Sequence, residues 1–196
     1  MAMTGRLVQG LLIAGLTAPS VLGAQASSVV VVRHAEKADT SRNSGLTAAG
    51  LARAKALRAA MADFPVQAIF VSEYPRTAET AAPTADAFHL TPTVIPIQGD
   101  KPAYAAATAA VIHAMPSGSA ALVVGHSNTV GVLIAALGGP EVPELCDGEY
   151  GTIFVLELPE GVPPRLLRAS YGMPDPSAAV TCHDDHRPSS DTTRSR

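Results

Sequence analysis

The chain has 196 residues, enough for one α/β domain and too few for two comfortable ones. Hydrophobic residues make up 47% and charged residues 16%, which excludes a disordered, collagenous or coiled-coil chain. The formal net charge of -3 argues against a nucleic-acid surface built on a broad basic field, so any anion site must be assembled locally.

The N-terminal stretch reads as a signal peptide. Arg6 precedes an apolar run from Leu7 to Leu16, and Ala24-Gln25-Ala26 supplies the small residues of a cleavage site. Residues 1–26 are therefore expected to be removed, leaving an exported protein, periplasmic or secreted, with no membrane attachment. The alternative is an uncleaved anchor; Gln9, Gly10 and Gly15 interrupt the run and argue against a span of the roughly 20 apolar residues required.

Strand-like and helix-like segments then alternate. Ser28 to Val32 is a continuous β-branched run, as in a strand covered on both faces. Thr47 caps a helix running to about Ala62, with Leu51, Ala54, Leu57, Arg58 and Met61 near helical spacing. Val66 to Val71 reads as a strand and Pro75 to Phe88 as a helix with proline in its first turn. Thr93 to Ile97 reads as a short strand, Lys101 to Met115 as a helix, and Ala120 to Val124 as a strand. Asn128 to Leu137 is a helix stopped by Gly138-Gly139-Pro140, and Thr152 to Leu158 and Arg165 to Tyr171 form a closing strand pair. This alternation predicts a three-layer α/β/α sandwich with a mainly parallel sheet, spanning residues 27–176. Residues 177–196 are polar and rich in Pro, Ser, Asp and Arg, and are expected to be a disordered tail.

In such sheets, ligands gather at the C-terminal ends of strands, where helix N-termini also point their free N–H groups. Arg33-His34 follows the first strand, Ser72-Glu73 and then Arg76 follow the second, and Gly125-His126-Ser127-Asn128 follows the fourth. Arg76 is placed against the helix dipole, which favours anions at that end, and this misfit supports an anion ligand. Two guanidinium groups and an imidazolium can surround a tetrahedral dianion and neutralise its equatorial oxygens during phosphoryl transfer. The other imidazole can be a covalent nucleophile.

These residues resemble a known family. VVVVRHAEK, residues 29–37, looks like the Arg-His-Gly signature of the histidine phosphatase superfamily, in its phosphoglycerate mutase-like branch. SEYPRTAETA, residues 72–81, resembles the family's second-arginine segment, and VVGHSNTV, residues 123–130, its second-histidine segment. The likeness runs from about Val29 to Tyr171. It implies a phosphoglycerate mutase-like fold and a nucleophile at His34, with phosphate clamped by Arg33 and Arg76. It assigns phosphate contact and transition-state stabilisation to His126, and implies no metal and no cofactor. Ala35 departs from the motif, which has Gly there, and adds one methyl. The activity implied is a phosphoric monoester hydrolase of the histidine acid phosphatase type, working through a phosphohistidine. Its partner would be a small phosphorylated substrate or a phosphoprotein.

The proton donor departs from the mutase pattern, in which a glutamate follows the third strand. Here the segment reads Ile95-Pro-Ile-Gln-Gly-Asp100, and Asp100 is the nearest acid; Glu36 and no dedicated donor are the alternatives. Two other activities stay open: a phosphate- or phosphoprotein-binding module with little turnover, and a mutase-type phosphotransferase. The loop from Lys37 to Gly45 is expected to overhang the site and offers Lys37, Arg42 and Asn43 as contacts. His89 and His113 have no comparable neighbours and read as ordinary surface or satisfied histidines. Cys146 and Cys182 read as a disulfide pair in an oxidising compartment, with two buried free thiols as the alternative. The tail motif Cys182-His-Asp-Asp-His186 reads as solvated, with metal binding as its alternative.

Overall fold

The computed structural model describes residues 27–175. The expected signal peptide, the tail and its Cys-His-Asp-Asp-His motif lie outside the described residues. The elements run β1 Ser27–Arg33, α1 Ala48–Ala60, β2 Val66–Val71, α2 Pro75–Phe88, β3 Thr93–Val94, α3 Lys101–His113, β4 Ala120–Gly125, α4 Ser127–Ala136, β5 Thr152–Leu158 and β6 Arg165–Ser170. None of the described helices is long and apolar enough to cross a membrane.

The strands form one mixed sheet in the order β3-β2-β4-β1-β5-β6. β1, β2, β3 and β4 pair in parallel, and β5 and β6 close the edge antiparallel. Strand alternation sends side chains to two separate cores. Val29, Val31, Val123 and Phe154 pack with Tyr104, Leu133 and Ile134 of α3 and α4. Val30, Val32, Leu122 and Val124 pack with Leu57, Met61, Ala81 and Ala85 on the side of α1 and α2. Helices therefore cover both faces, as the continuous apolar runs require.

β3 is shorter than its sequence predicts. Ile95 N–H still donates to the Val71 carbonyl, but Pro96 has no N–H, and Ile97 N–H donates instead to the Glu73 carboxylate. In α1, Thr47 caps as expected, its Oγ1 accepting from Gly50 N–H at 3.0 Å. Leu51 faces solvent and Arg53 turns inward, because two carboxylates are waiting for it there. Gly50 has a packing role: a Cβ there would stand 2.5 Å from the Glu36 carbonyl oxygen, so glycine lets the loop after β1 lie directly on α1.

Candidate active site

β1 and β4 are neighbours, and their register pairs Arg33 with Gly125. The two residues that follow, His34 and His126, thus emerge side by side at the same sheet edge. Their ring centroids are 5.2 Å apart, at 65° to each other. Both rings are buried, as is Arg33; Arg76, in the first turn of α2, is half-buried. Its Nη2 lies 3.4 Å from His126 Nδ1. His34, His126 and Arg76, from three strand ends, are therefore linked by these distances, and Arg33 directly precedes His34 at the end of β1.

Hydrogen bonds assign the tautomers. His34 Nδ1 lies 2.8 Å from the Ala35 carbonyl, which can only accept, so Nδ1 carries the hydrogen and Nε2 keeps its lone pair. Arg76 can only donate, so His126 Nδ1 accepts and Nε2–H donates to Ser72 Oγ at 2.9 Å. Ser72 Oγ is in turn 3.2 Å from Thr77 Oγ1, which donates to the Tyr74 carbonyl at 2.8 Å. Thr129 Oγ1 accepts from His126 N–H at 2.8 Å and fixes that residue's backbone at the start of α4. A Cβ on Gly125 would meet the same Oγ1 at 2.9 Å, so the approach needs glycine.

The electrostatics suit an anion. Burial pushes the His34 imidazole down to about 3, and the charges of His126, Arg33 and Arg76 add to it. Burial likewise lowers His126 to about 4, with Arg76 the next contributor. Arg76 is itself lowered, chiefly by burial. These groups repel each other's positive charge until an anion sits between them. Arg33 Nε and Arg76 Nε are buried without a hydrogen-bond partner among the described residues, and each is a donor that an anion would satisfy.

Each arginine is also anchored. Arg33 Nη1 donates to the carbonyls of Cys146 at 2.9 Å and Glu149 at 3.2 Å, and its guanidinium lies 4.2 Å from the Tyr150 ring centre. Arg76 Nη1 donates to the Arg42 carbonyl at 2.7 Å, and its guanidinium lies 4.5 Å from the Tyr74 ring centre. The loop from Lys37 to Gly45 thus meets Arg76 through the Arg42 carbonyl. Beside Arg76 and His126 lies a cleft of about 260 Å³, lined also by Arg42, Tyr74, Ile97, Lys101 and Asn128.

The acids stand differently. Asp100 is exposed at the N-cap of α3, where its Oδ1 accepts from Ala103 N–H at 2.9 Å; only its neighbour Lys101 lines the cleft. Glu36 pairs with Arg53, its Oε1 2.8 Å from Nη2. Glu73 acts electrostatically on His126 and Arg76. Burial pushes its carboxyl up, but bonds from backbone N–H groups outweigh this and hold it below the usual carboxylate range. His89 is an exposed left-handed cap at the end of α2, and His113 is exposed in the last turn of α3. Cys146 is disulfide-bonded; its expected partner, Cys182, lies outside the described residues. No cluster of three metal-binding side chains occurs among the described residues.

Sequence reading missed Thr77 and Thr80 behind the site, Tyr74 and Tyr150 beneath the arginines, and the function of Ser72. The only signal for the threonines was their helical spacing after Arg76, which reads equally as ordinary core.

Residues 29–97, about a third of the chain, match the model of the histidine phosphatase superfamily (branch 1). No curated protein matches the chain. Among solved structures, the protein histidine phosphatase SixA complexed with tungstate is 21% identical, with a TM-score of 0.55, and the match covers 73% of this chain and 96% of that one. Mycobacterial glucosyl-3-phosphoglycerate phosphatase with inorganic phosphate is 17% identical, with a TM-score of 0.57, covering 79% and 99%. A second mycobacterial protein, described as hydrolase 1, is 17% identical, with a TM-score of 0.61, covering 74% and 100%. The expected resemblance and the expected fold are both matched.

Proposed function

We propose, from the premise that residues 29–97 carry the histidine phosphatase superfamily pattern, that this protein is a phosphomonoester hydrolase acting through phospho-His34. What supports this most is the arrangement around His34: its Nδ1 is held by the Ala35 carbonyl, its ring centre lies 5.2 Å from that of His126, which meets Arg76, and Arg33 and Arg76 each keep a buried Nε without a partner among the described residues.

In the first step His34 Nε2 attacks phosphorus, the P–O ester bond breaks, and the alcohol oxygen leaves with that electron pair and gains a proton. In the second step water attacks the phosphoryl group, the P–N bond breaks, and the electron pair returns to Nε2 as inorganic phosphate departs. Arg33 and Arg76 offset the charge on the equatorial oxygens, and they are fixed in place before reaction. His126, uncharged in the free protein, gains a proton as the dianion arrives and then donates to it. Asp100 is the proposed proton donor, since it adjoins the cleft through Lys101. The arginines supply the charge neutralisation that a metal supplies elsewhere, so no metal is invoked.

Two of the neighbours differ in their named substrates, one being a protein histidine phosphatase and the other a glucosyl-3-phosphoglycerate phosphatase, so likeness does not choose. The small cleft favours a compact or exposed phosphoryl group. We further propose export with loss of residues 1–26, which the disulfide at Cys146 supports, because disulfides persist in oxidising compartments.

The test is turnover of p-nitrophenyl phosphate with EDTA present, from acid to neutral pH. The reading expects chelator-resistant hydrolysis that His34→Ala abolishes; anion binding without turnover would make the protein a binding module instead.

A further inference from the structure

Arg53 is 4% exposed although it carries a full charge. Burial of a guanidinium is costly unless its donors are satisfied, and here they are, from both sides. Glu36, two residues past the nucleophile, accepts from Nε at 2.9 Å. The segment following β6 supplies the rest: Nη1 donates to the carbonyls of Tyr171 at 3.3 Å and Met173 at 3.0 Å, and Nη2 to Asp175 Oδ1 at 3.1 Å.

Asp175 reaches further still. Its Oδ2 accepts from Tyr150 N–H at 3.1 Å and from Gly151 N–H at 2.9 Å, so one carboxylate grips the backbone on both sides of the Tyr150 carbonyl. Gly151 is shaped to this contact, for a Cβ there would stand 3.1 Å from Arg53 Nη1 and 3.3 Å from Asp175 Oδ2. The side chain so held is the one under the phosphate clamp: the Tyr150 ring centre is 4.2 Å from the Arg33 guanidinium carbon and 6.2 Å from the His34 ring centre.

We propose that Asp175 is a positioning residue for the Arg33 clamp, acting through the Tyr150 backbone and ring and locked by the Arg53–Glu36 pair. The bonds of Asp175 go to Arg53 and to the backbone of Tyr150 and Gly151, not to Arg33. Its carboxylate sets the direction in which Tyr150 leaves the backbone, the ring fixes the plane of the guanidinium by cation–π contact, and the unpaired Nε then faces the anion. The same network holds the Glu36 side of the nucleophile's loop, so the C-terminal segment braces both the nucleophile and its clamp. This rests on the reading of Arg33 as a phosphate ligand.

The test is a double-mutant cycle read by calorimetric binding of orthophosphate, with p-nitrophenyl phosphate turnover alongside. Asp175→Ala and Tyr150→Leu should each weaken phosphate binding and kcat/KM by about ten- to a hundredfold, the scale on which small misplacements act. The double variant should bind no worse than Tyr150→Leu alone. Asp175→Asn, which keeps an acceptor for the Gly151 N–H but loses the charge facing Arg53, should recover part of the loss, and with Tyr150→Leu it carries the test if Asp175→Ala melts below the assay temperature. Additive losses, or a folded Asp175→Ala that binds phosphate as well as wild type, would overturn the proposal. Wild type that binds phosphate without turnover defeats the hydrolase reading and leaves the cycle readable; wild type that binds no phosphate overturns both.

Discussion

The Nδ1–H of His34 donates to the carbonyl oxygen of Ala35 over 2.8 Å, and this bond between adjacent residues leaves Nε2 as the ring nitrogen that carries the lone pair. Ala35 is held from its other side too, because its N–H donates to Thr80 Oγ1 at 2.9 Å while that hydroxyl donates to the Arg76 carbonyl at 2.7 Å. A threonine one turn beyond Arg76 thus fixes the backbone beside the proposed nucleophile, His34. The methyl that Ala35 adds to the family motif is fully buried in this turn.

Thr80→Val is the direct check on that arrangement. It keeps the shape of the side chain but leaves the buried Ala35 N–H without an acceptor, which costs about 1 to 3 kcal/mol. Urea denaturation should show this loss, and kcat should fall as His34 loses its fixed orientation. Unchanged kcat in the folded variant would mean that the Ala35 carbonyl is positioned by something else.

The pH dependence follows from two depressed histidines. His34 is pushed down to about 3 and His126 to about 4, against 6.5 in the unfolded chain, burial being the first cause in each. Between those values the unfolded chain binds more protons than the folded one, so this stability is present above about 6.5 and is lost as pH falls through the folded values. Thermal melts of the phosphate-free protein should therefore decline on acidification, and less steeply in His34→Gln/His126→Gln. The acid limb of kcat/KM should likewise lie well below 6.5, once the ionisation of the substrate is divided out. A limb near 6.5 would mean that these imidazoles are solvated.

Much of this site was legible in the chain because its residues directly follow strands, and strand ends are marked by where β-branched runs stop. Arg33, His34 and His126 sit where the Val29–Val32 and Ala120–Val124 runs close, and Arg76 is marked by the proline that opens its helix. The supporting layer was not legible, because it depends on partners far away in sequence. Arg53 reads as one more surface residue of an alanine-rich helix, until Asp175, 122 positions later, proves to be its partner. Asp100 illustrates the reverse problem. An acid placed just before Lys101 and Pro102 is also the pattern of a helix cap, and the cap is what its Oδ1 provides.

Removing either clamp should be expensive. Arg33→Ala and Arg76→Ala should each lower kcat by about 10² to 10³, the cost of losing one preorganised donor to developing charge. Arg→Lys at either position should recover little, because an ammonium cannot reproduce the planar fork. Steady-state kinetics on both pairs decide this, and a lysine variant near wild type would contradict bidentate clamping.

Asp100 is tested by leaving group. A nitrophenolate departs without help and an alkoxide does not, so Asp100→Asn should spare the aryl ester and slow an alkyl phosphate by about 10²-fold or more. Equal rates on both esters in wild type and variant would remove Asp100 from the mechanism and leave it as the α3 cap alone.

A phosphoryl group carried on His34 would be trapped by rapid quenching into base, since phosphohistidine survives base and hydrolyses in acid. Wild type mixed with p-nitrophenyl phosphate and quenched within one turnover should carry one phosphoryl mass on the peptide containing His34. Acid should remove the label, and His34→Ala should lack it. Turnover with no label at His34, or a label that persists in His34→Ala, would mean that His34 is not the nucleophile.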